Sequence, residues 1–187
     1  MPDTGFNQIE TERLVIRRFA RGDAARFCTY RSIPDVALYQ SWEAPYSLAE
    51  AEAFTDEMAV CHPDTEGEWF QFAVERHAEP GLIGDVAVLV PDGDPGSVEI
   101  GYSLNPTFGG HGYASEAVAA ITTYCLEARG KNEVMAWTDI RNRPSIALLE
   151  RLGFKRDPAS RQHTMFKGAW CDEDRYVMTS QDWAARG

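Results

Sequence analysis

Between a strand-like run, Val98 to Leu104, and a helix-like run, Ala114 to Ala128, lies Gly109-Gly110-His111-Gly112-Tyr113-Ala114-Ser115-Glu116. Glycines at a strand-to-helix junction let several backbone N–H groups converge on one concavity. No Cβ obstructs a ligand there, and the N-terminus of the following helix adds partial positive charge. That is a cradle for phosphate oxygens, made from main chain instead of lysines. The same residues also read as a glycine-rich turn capping an ordinary helix, because short glycine motifs recur for structural reasons alone. The surrounding elements decide between the two.

Leu14 to Phe19 reads as a first strand, and Asp23 as the N-cap of a short helix reaching Tyr30. Ser47 followed by Glu50 is a capping-box signature. It opens a helix with Ala51, Phe54, Met58 and Cys61 on one face, ending before Pro63. Three strands follow, Trp69 to Glu75, Leu82 to Val90 and Val98 to Leu104, separated by turns at His77 to Gly81 and Pro91 to Gly96. Links that short favour antiparallel neighbours. The helix after the glycine loop carries Ala117, Val118, Ile121, Cys125 and Ala128 at helical spacing.

Val134 to Thr138 is another strand. Asn142 and Pro144 begin a helix containing Ile146, Leu149 and Leu152, stopped by Gly153. Phe154 onward and Tyr176 to Thr179 read as two closing strands. Between them lies a turn-rich segment with Gly168, Cys171 and the acidic run Asp172-Glu173-Asp174. The expected fold is α/β (α+β): a mostly antiparallel twisted sheet, about four flanking helices and one helical crossover after the glycine loop.

At 187 residues the chain is expected to form a single domain over 1–187, burying roughly 70% of its unfolded surface. A formal net charge of −11 argues against a nucleic-acid partner and suits a cationic one. No apolar run approaches the ~20 residues of a membrane span, and Met1-Pro2-Asp3-Thr4 lacks a basic-then-apolar signal. The four cysteines (Cys28, Cys61, Cys125, Cys171) are far apart with no Cys-x-x-Cys pair. Neither a metal site nor a disulfide framework is indicated, and a reduced cytoplasmic setting is expected.

Two segments belong together: Glu99-Ile100-Gly101-Tyr102-Ser103-Leu104 running into Gly109 to Glu116, and Asn142-Arg143-Pro144-Ser145 running to Leu152-Gly153-Phe154. In that order and separation they resemble the GNAT superfamily of N-acetyltransferases. Glu12-Arg13-Leu14-Val15-Ile16-Arg17 resembles the opening of its ribosomal-protein-alanine (RimJ/RimL-like) branch, and Asp172, Tyr176 and Asp182-Trp183 fit the same branch. The resemblance covers nearly the whole chain. It implies acetyl-CoA as cosubstrate and direct attack by a primary amine in a ternary complex. The acceptor would be a protein N-terminus or a small cationic amine, and the branch leaves a homodimer open.

The family's pyrophosphate loop is Gln/Arg-x-x-Gly-x-Gly/Ala. Gly112 and Ala114 match, but Gly109 stands at the Gln/Arg position. The resemblance therefore assigns phosphate binding to the amides from Gly109 through Gly110, His111, Gly112 and Tyr113 to Ala114, with the His111 ring as a replacement donor. In the family the strand before the loop splays from its neighbour, and the pantothenyl amides pair with its exposed edge; here that edge is Tyr102, Ser103 and Leu104.

By the same resemblance Glu99 is the candidate base that takes the amine proton, with His163 as an alternative. The family's helical tyrosine acid aligns with Leu149 and is absent, so Ser145 is the next hydroxyl for the departing sulfur. Asn142 would serve as N-cap and cofactor contact. Tyr39, Trp42 and Tyr46 would form a wall of the acceptor site, and Asp172 to Asp174 would either attract a cation or form a solvated turn. Two other readings remain. One is a non-catalytic acyl-CoA-binding regulator with the same fold. The other is a dinucleotide-binding domain with Asp139 as ribose acid, disfavoured because antiparallel hairpins precede the glycines.

Overall fold

A computed structural model describes the protein at Phe6 and from residue 8 to residue 186. Met1 to Thr4, read above for a targeting signal, lie outside the described residues. The chain opens with β1 (Gln8–Glu10) and β2 (Leu14–Arg18), followed by α1 (Ala24–Arg31), α2 (Pro34–Ala37) and α3 (Leu48–Met58). Next come β3 (Trp69–Arg76), β4 (Leu82–Leu89) and β5 (Ser97–Leu104), then α4 (Tyr113–Thr123), β6 (Glu133–Asp139) and α5 (Arg143–Arg151). The described chain finishes with β7 (Lys155–Phe166), β8 (Ala169–Thr179) and α6 (Ser180–Ala184).

All eight strands join one sheet in the order β1-β2-β3-β4-β5-β6-β8-β7. Every pairing is antiparallel except β5 with β6, which α4 connects as the expected crossover. Among the described residues six α-helices accompany the sheet, two more than the sequence suggested. The extra two, α2 and α6, are short, and neither is long enough to show an apolar period. No described helix is long and apolar enough to cross a membrane.

Local expectations met different fates. The capping box at Ser47 and Glu50 forms with both reciprocal hydrogen bonds. The helix it opens ends at Met58, so Cys61 falls outside it. Asp23 does precede α1, but its side chain caps nothing in that helix. Instead the carboxylate takes two guanidinium hydrogen bonds from Arg17 and the Ala20 N–H, because ion pairing out-competes a cap for a buried acid. The helix after the glycine loop starts at Tyr113 and widens after Thr123 into a π turn over Tyr124–Ala128. The segment taken for turns between the closing strands is a long hairpin, with Lys167 and Gly168 at its tip. Asp172, Glu173 and Asp174 therefore sit inside β8, paired with His163, Asp139 and Thr138.

Both faces of β4 are buried, so the sheet has layers on either side. Cross-strand partners share a face. Phe72, Val86 and Tyr102 form one such row, and Gln71, Ala87 and Gly101 form another on the opposite face. Tyr102 reaches α5 through its hydroxyl, which puts the first row on the α5 side. Asp85 bonds Tyr30 of α1, which puts the second face on the α1 side. Ile121 of α4 and Leu149 of α5 are fully buried in the core, each contributing roughly 1.5–3 kcal/mol of burial energy.

Candidate active site

The site begins with a strand that loses its neighbour. β5 pairs with β6 only over Ser97 to Glu99, whereas on its other side it pairs with β4 as far as Leu104. Beyond Glu99, β6 leaves β5 and stays paired with β8. The Asn105 N–H bonds the Ile83 carbonyl on β4. Because backbone groups alternate along a strand, the N–H groups of Gly101 and Ser103 also face β4. Those of Tyr102 and Leu104, beyond the last β5–β6 pair, face the gap. The Tyr102 carbonyl points the same way, and the Gln40 amide reaches it at 3.3 Å.

A cavity of about 980 Å³ occupies that gap and passes from one sheet face to the other. On the α4–α5 side Ala114, Asn142, Ser145 and Leu148 line it, together with Tyr102. On the α1 side it is lined by Tyr39, Gln40, Trp42, Gln71, Asp85 and Glu99. Ser103 and Leu104 border it along the β5 edge.

The glycine loop adjoins the α4 end of this cavity. Gly110 and Gly112 have φ of +77° and +80°, a region where a Cβ would strain the backbone. Nothing lies within 4 Å of where a Gly110 Cβ would be, and at Gly112 only the Arg13 guanidinium comes as near as 3.4 Å. A ligand can therefore lie directly against this main chain, so the residues present fit a diphosphate. The His111 ring does not aim a free donor from both nitrogens. Its Nδ1 donates to the Gly109 carbonyl at 2.7 Å, and the ring stacks on Tyr113.

Asn142 caps α5, its Oδ1 accepting from the Ser145 N–H at 3.3 Å, with Pro144 in the first turn. The cap fixes where Ser145 starts the helix, and the Ser145 hydroxyl lies 2.8 Å from the Tyr102 hydroxyl. Burial pushes the Tyr102 phenol up to about 12, with the Ser145 hydrogen bond opposing, so it is protonated at neutral pH. Leu149, aligned with the family's tyrosine, is fully buried and carries no proton.

Carboxylates gather on the other side. Glu99 has its carboxyl pushed up to about 6, first by burial and then by the charge of Glu173, with Arg175 opposing. Glu173 is itself raised, by burial and by Asp139. Asp139 is held low by bidentate hydrogen bonds from Arg141. Asp85 is buried, bonded by the Tyr30 hydroxyl, and raised by desolvation against the pull of Arg31. Arg31 is caged: its guanidinium lies 3.7 Å from the Trp42 ring and 4.1 Å from Phe27, and it donates to Gln71 at 2.9 Å.

Of the residues singled out in the sequence, Glu99, Ser145, Tyr102, Ser103, Leu104, Ala114, Asn142, Tyr39 and Trp42 border one cavity, and Gly109 to Tyr113 adjoin it. Tyr46, His163, Asp172 and Asp174 do not join them. Tyr46 turns inward and packs on Phe27 at 5.8 Å. His163 lies on β7 between Gln162 and Thr164, which face the cavity, so alternation points its ring elsewhere. There it bonds Asp172 at 2.7 Å, stacks on Trp170 and borders a separate pocket of about 180 Å³. Its candidacy as base fails on placement. Asp139 is engaged by Arg141 rather than presented for a ribose.

Sequence reading missed Asp85, Gln40 and Gln71 at this site. Asp85 left a trace, being the lone charge in the apolar run Leu82 to Val90. Of the acidic run, Glu173 alone lines the cavity, from a strand and not the expected turn, and Gln40 and Gln71 left no signal.

Known proteins agree with this architecture. The acetyltransferase (GNAT) domain family matches residues 13–155. The chain is 28% identical over 174 residues to an uncharacterized N-acetyltransferase, p20, of Bacillus licheniformis, covering 93% of this chain and 97% of that one. It is 26% identical over 190 residues to the [ribosomal protein uS5]-alanine N-acetyltransferase of Escherichia coli, covering 94% and 92%. A crystal structure of a GNAT-family acetyltransferase from Bacillus anthracis superposes with a TM-score of 0.82 at 26% identity, covering 93% of this chain and 99% of that one. A glycine-rich turn at a helix N-terminus, a β5 edge opened by β6 and a matching domain over most of the chain agree: this protein belongs to the GNAT family of acetyltransferases.

Proposed function

We propose that this enzyme moves the acetyl group to a cationic primary amine that enters the cavity from the α1–α2 side. The observation that carries this reading is the unpaired stretch of β5, whose inward-facing amides run into the same cavity as the Glu99 carboxyl. Acetyl-CoA supplies an acetyl thioester whose thiol departs when an amine adds to the carbonyl carbon.

The Gly109 N–H is spent on the Pro106 carbonyl at 2.9 Å, so the amides from Gly110 to Ala114 hold the diphosphate, helped by the positive end of α4. The N–H groups of Tyr102 and Leu104 and the Tyr102 carbonyl extend the sheet to the donor's amide arm, and a β5 N–H receives the thioester oxygen as negative charge builds. Asn142 fixes the start of α5 beside that arm. Ser145, held by Tyr102, offers its hydroxyl to the departing sulfur. A thiol of reference pKa ~8.5 leaves tolerably without full protonation, so hydrogen bonding is enough.

Primary amines arrive mostly protonated, with reference pKa values from ~8 for an α-amine to ~10.4 for lysine. Glu99 takes the proton, directly or through one water. A carboxylate at about 6 is ionised at neutral pH yet more basic than an exposed glutamate. Asp85, Asp139 and Glu173 border the same space and give it negative potential, which favours the ammonium form on entry. Tyr39 and Trp42 supply the apolar wall, with cation–π attraction available from the rings. An acceptor panel of N-terminal peptides, polyamines, aminoglycosides and amino-acid esters, with free thiol as readout, tests the reading. Thiol release with at least one amine and none with matched alcohols is expected. Silence across the panel despite donor binding would overturn it.

A further inference from the structure

Gly109 stands where the family places a side-chain donor, and Gly109 to Gly112 are solvent-exposed. A loop so rich in glycine gives up much backbone freedom when it adopts one conformation. Its anchor comes from the far end of the chain. Arg13, immediately before β2, donates from Nη1 to the His111 carbonyl at 2.8 Å. From Nε it donates to Glu116 Oε2 at 2.6 Å, with Nη2 equally close to that oxygen. The Arg13 N–H and the Thr11 hydroxyl occupy Glu116 Oε1 at 2.9 and 2.5 Å. The guanidinium also lies 4.8 Å from the centre of the Tyr113 ring. One side chain thus ties the loop, the first turn of α4 and the start of β2 together.

The geometry has a directional result. In a trans peptide the C=O and the following N–H point opposite ways. Fixing the His111 carbonyl on Arg13 turns the Gly112 N–H away from Arg13. The His111 ring, bonded to the Gly109 carbonyl, does the same for the Gly110 N–H. We propose that Arg13 is a positioning residue for the donor's diphosphate, orienting the amides that grip it. Because Glu116 neutralises most of its charge, it acts through the loop rather than as a phosphate ligand. This rests on the reading of Gly110 to Ala114 as the diphosphate cradle.

Arg13→Met, which keeps an apolar stem and removes every donor, tests the proposal. Calorimetry should show CoA affinity reduced roughly tenfold or more, as for loss of charge-assisted hydrogen bonds. In steady state KM for acetyl-CoA should rise while kcat stays within about twofold, and kcat/KM for S-acetylpantetheine, which lacks the diphosphate, should not change. Arg13→Lys, able to reach one partner but not both, should fall between. Unchanged CoA affinity, or an equal loss with both donors, overturns the proposal. If Arg13→Met fails to fold, Glu116→Gln loosens the same clasp from its other side and must show the same selective loss. A wild-type protein that binds no CoA would instead overturn the cradle itself.

Discussion

Glu99 carries the sharpest expectations. If it takes the amine proton, Glu99→Gln should reduce kcat by roughly 10²–10⁴-fold, the usual worth of a positioned base. The pH profile adds a signed test. The base must be ionised, so kcat/KM should fall as pH drops through about 6, where burial and Glu173 hold its carboxyl. Glu173→Gln removes a negative charge that favours the protonated form, so the acid limb should move to lower pH. Arg175→Met removes a stabilising positive charge and should move it up. A limb that ignores both substitutions would exclude Glu99 as its origin. At this scale the sequence was readable where a residue sat in an ordered motif, as Glu99, Tyr102, Asn142 and Ser145 do. It was unreadable where function depends on which strand lies opposite. Glu173 meets Glu99 only because β8 pairs with β6, and no local pattern announces that pairing.

Among the elements, α5 shows how a local signal becomes the geometry of the cavity wall. Asn142 satisfies the Ser145 N–H, and Ser145 in turn meets Tyr102. Asn142→Ala should cost about 0.5–2 kcal/mol of stability, the range for a lost N-cap. Thermal unfolding should register a Tm lower by about 2–8 °C, and kcat should fall more than the cap alone explains. A drop in Tm with kcat intact would confine Asn142 to capping. The capping box of α3 and the proline start and glycine stop of α5 were legible because their chemistry is local. The β7–β8 hairpin was not. β7 is an edge strand, exposed along most of its length, so it lacks the alternation that marks a half-buried strand. The cap that Asp23 declines was likewise decided by a competing partner, the Arg17 guanidinium.

For the whole molecule, the order of elements along the chain was enough to give a mostly antiparallel sheet with a single crossover, because short links leave few alternatives. The net charge of −11 is consistent with the carboxylates Asp85, Glu99, Asp139 and Glu173 that border the cavity. The divergence of β6 from β5 has a further effect on motion. A sheet usually shields its central backbone from water, yet here Tyr102 and Leu104 keep their amides open in the middle of the sheet. In hydrogen–deuterium exchange those two should trade protons quickly, while Gly101 and Ser103, bonded to β4, stay slow. Adding acetyl-CoA should slow Tyr102 and Leu104 and leave their neighbours alone. That every-other-residue signature would reveal the ligand behaving as a ninth strand.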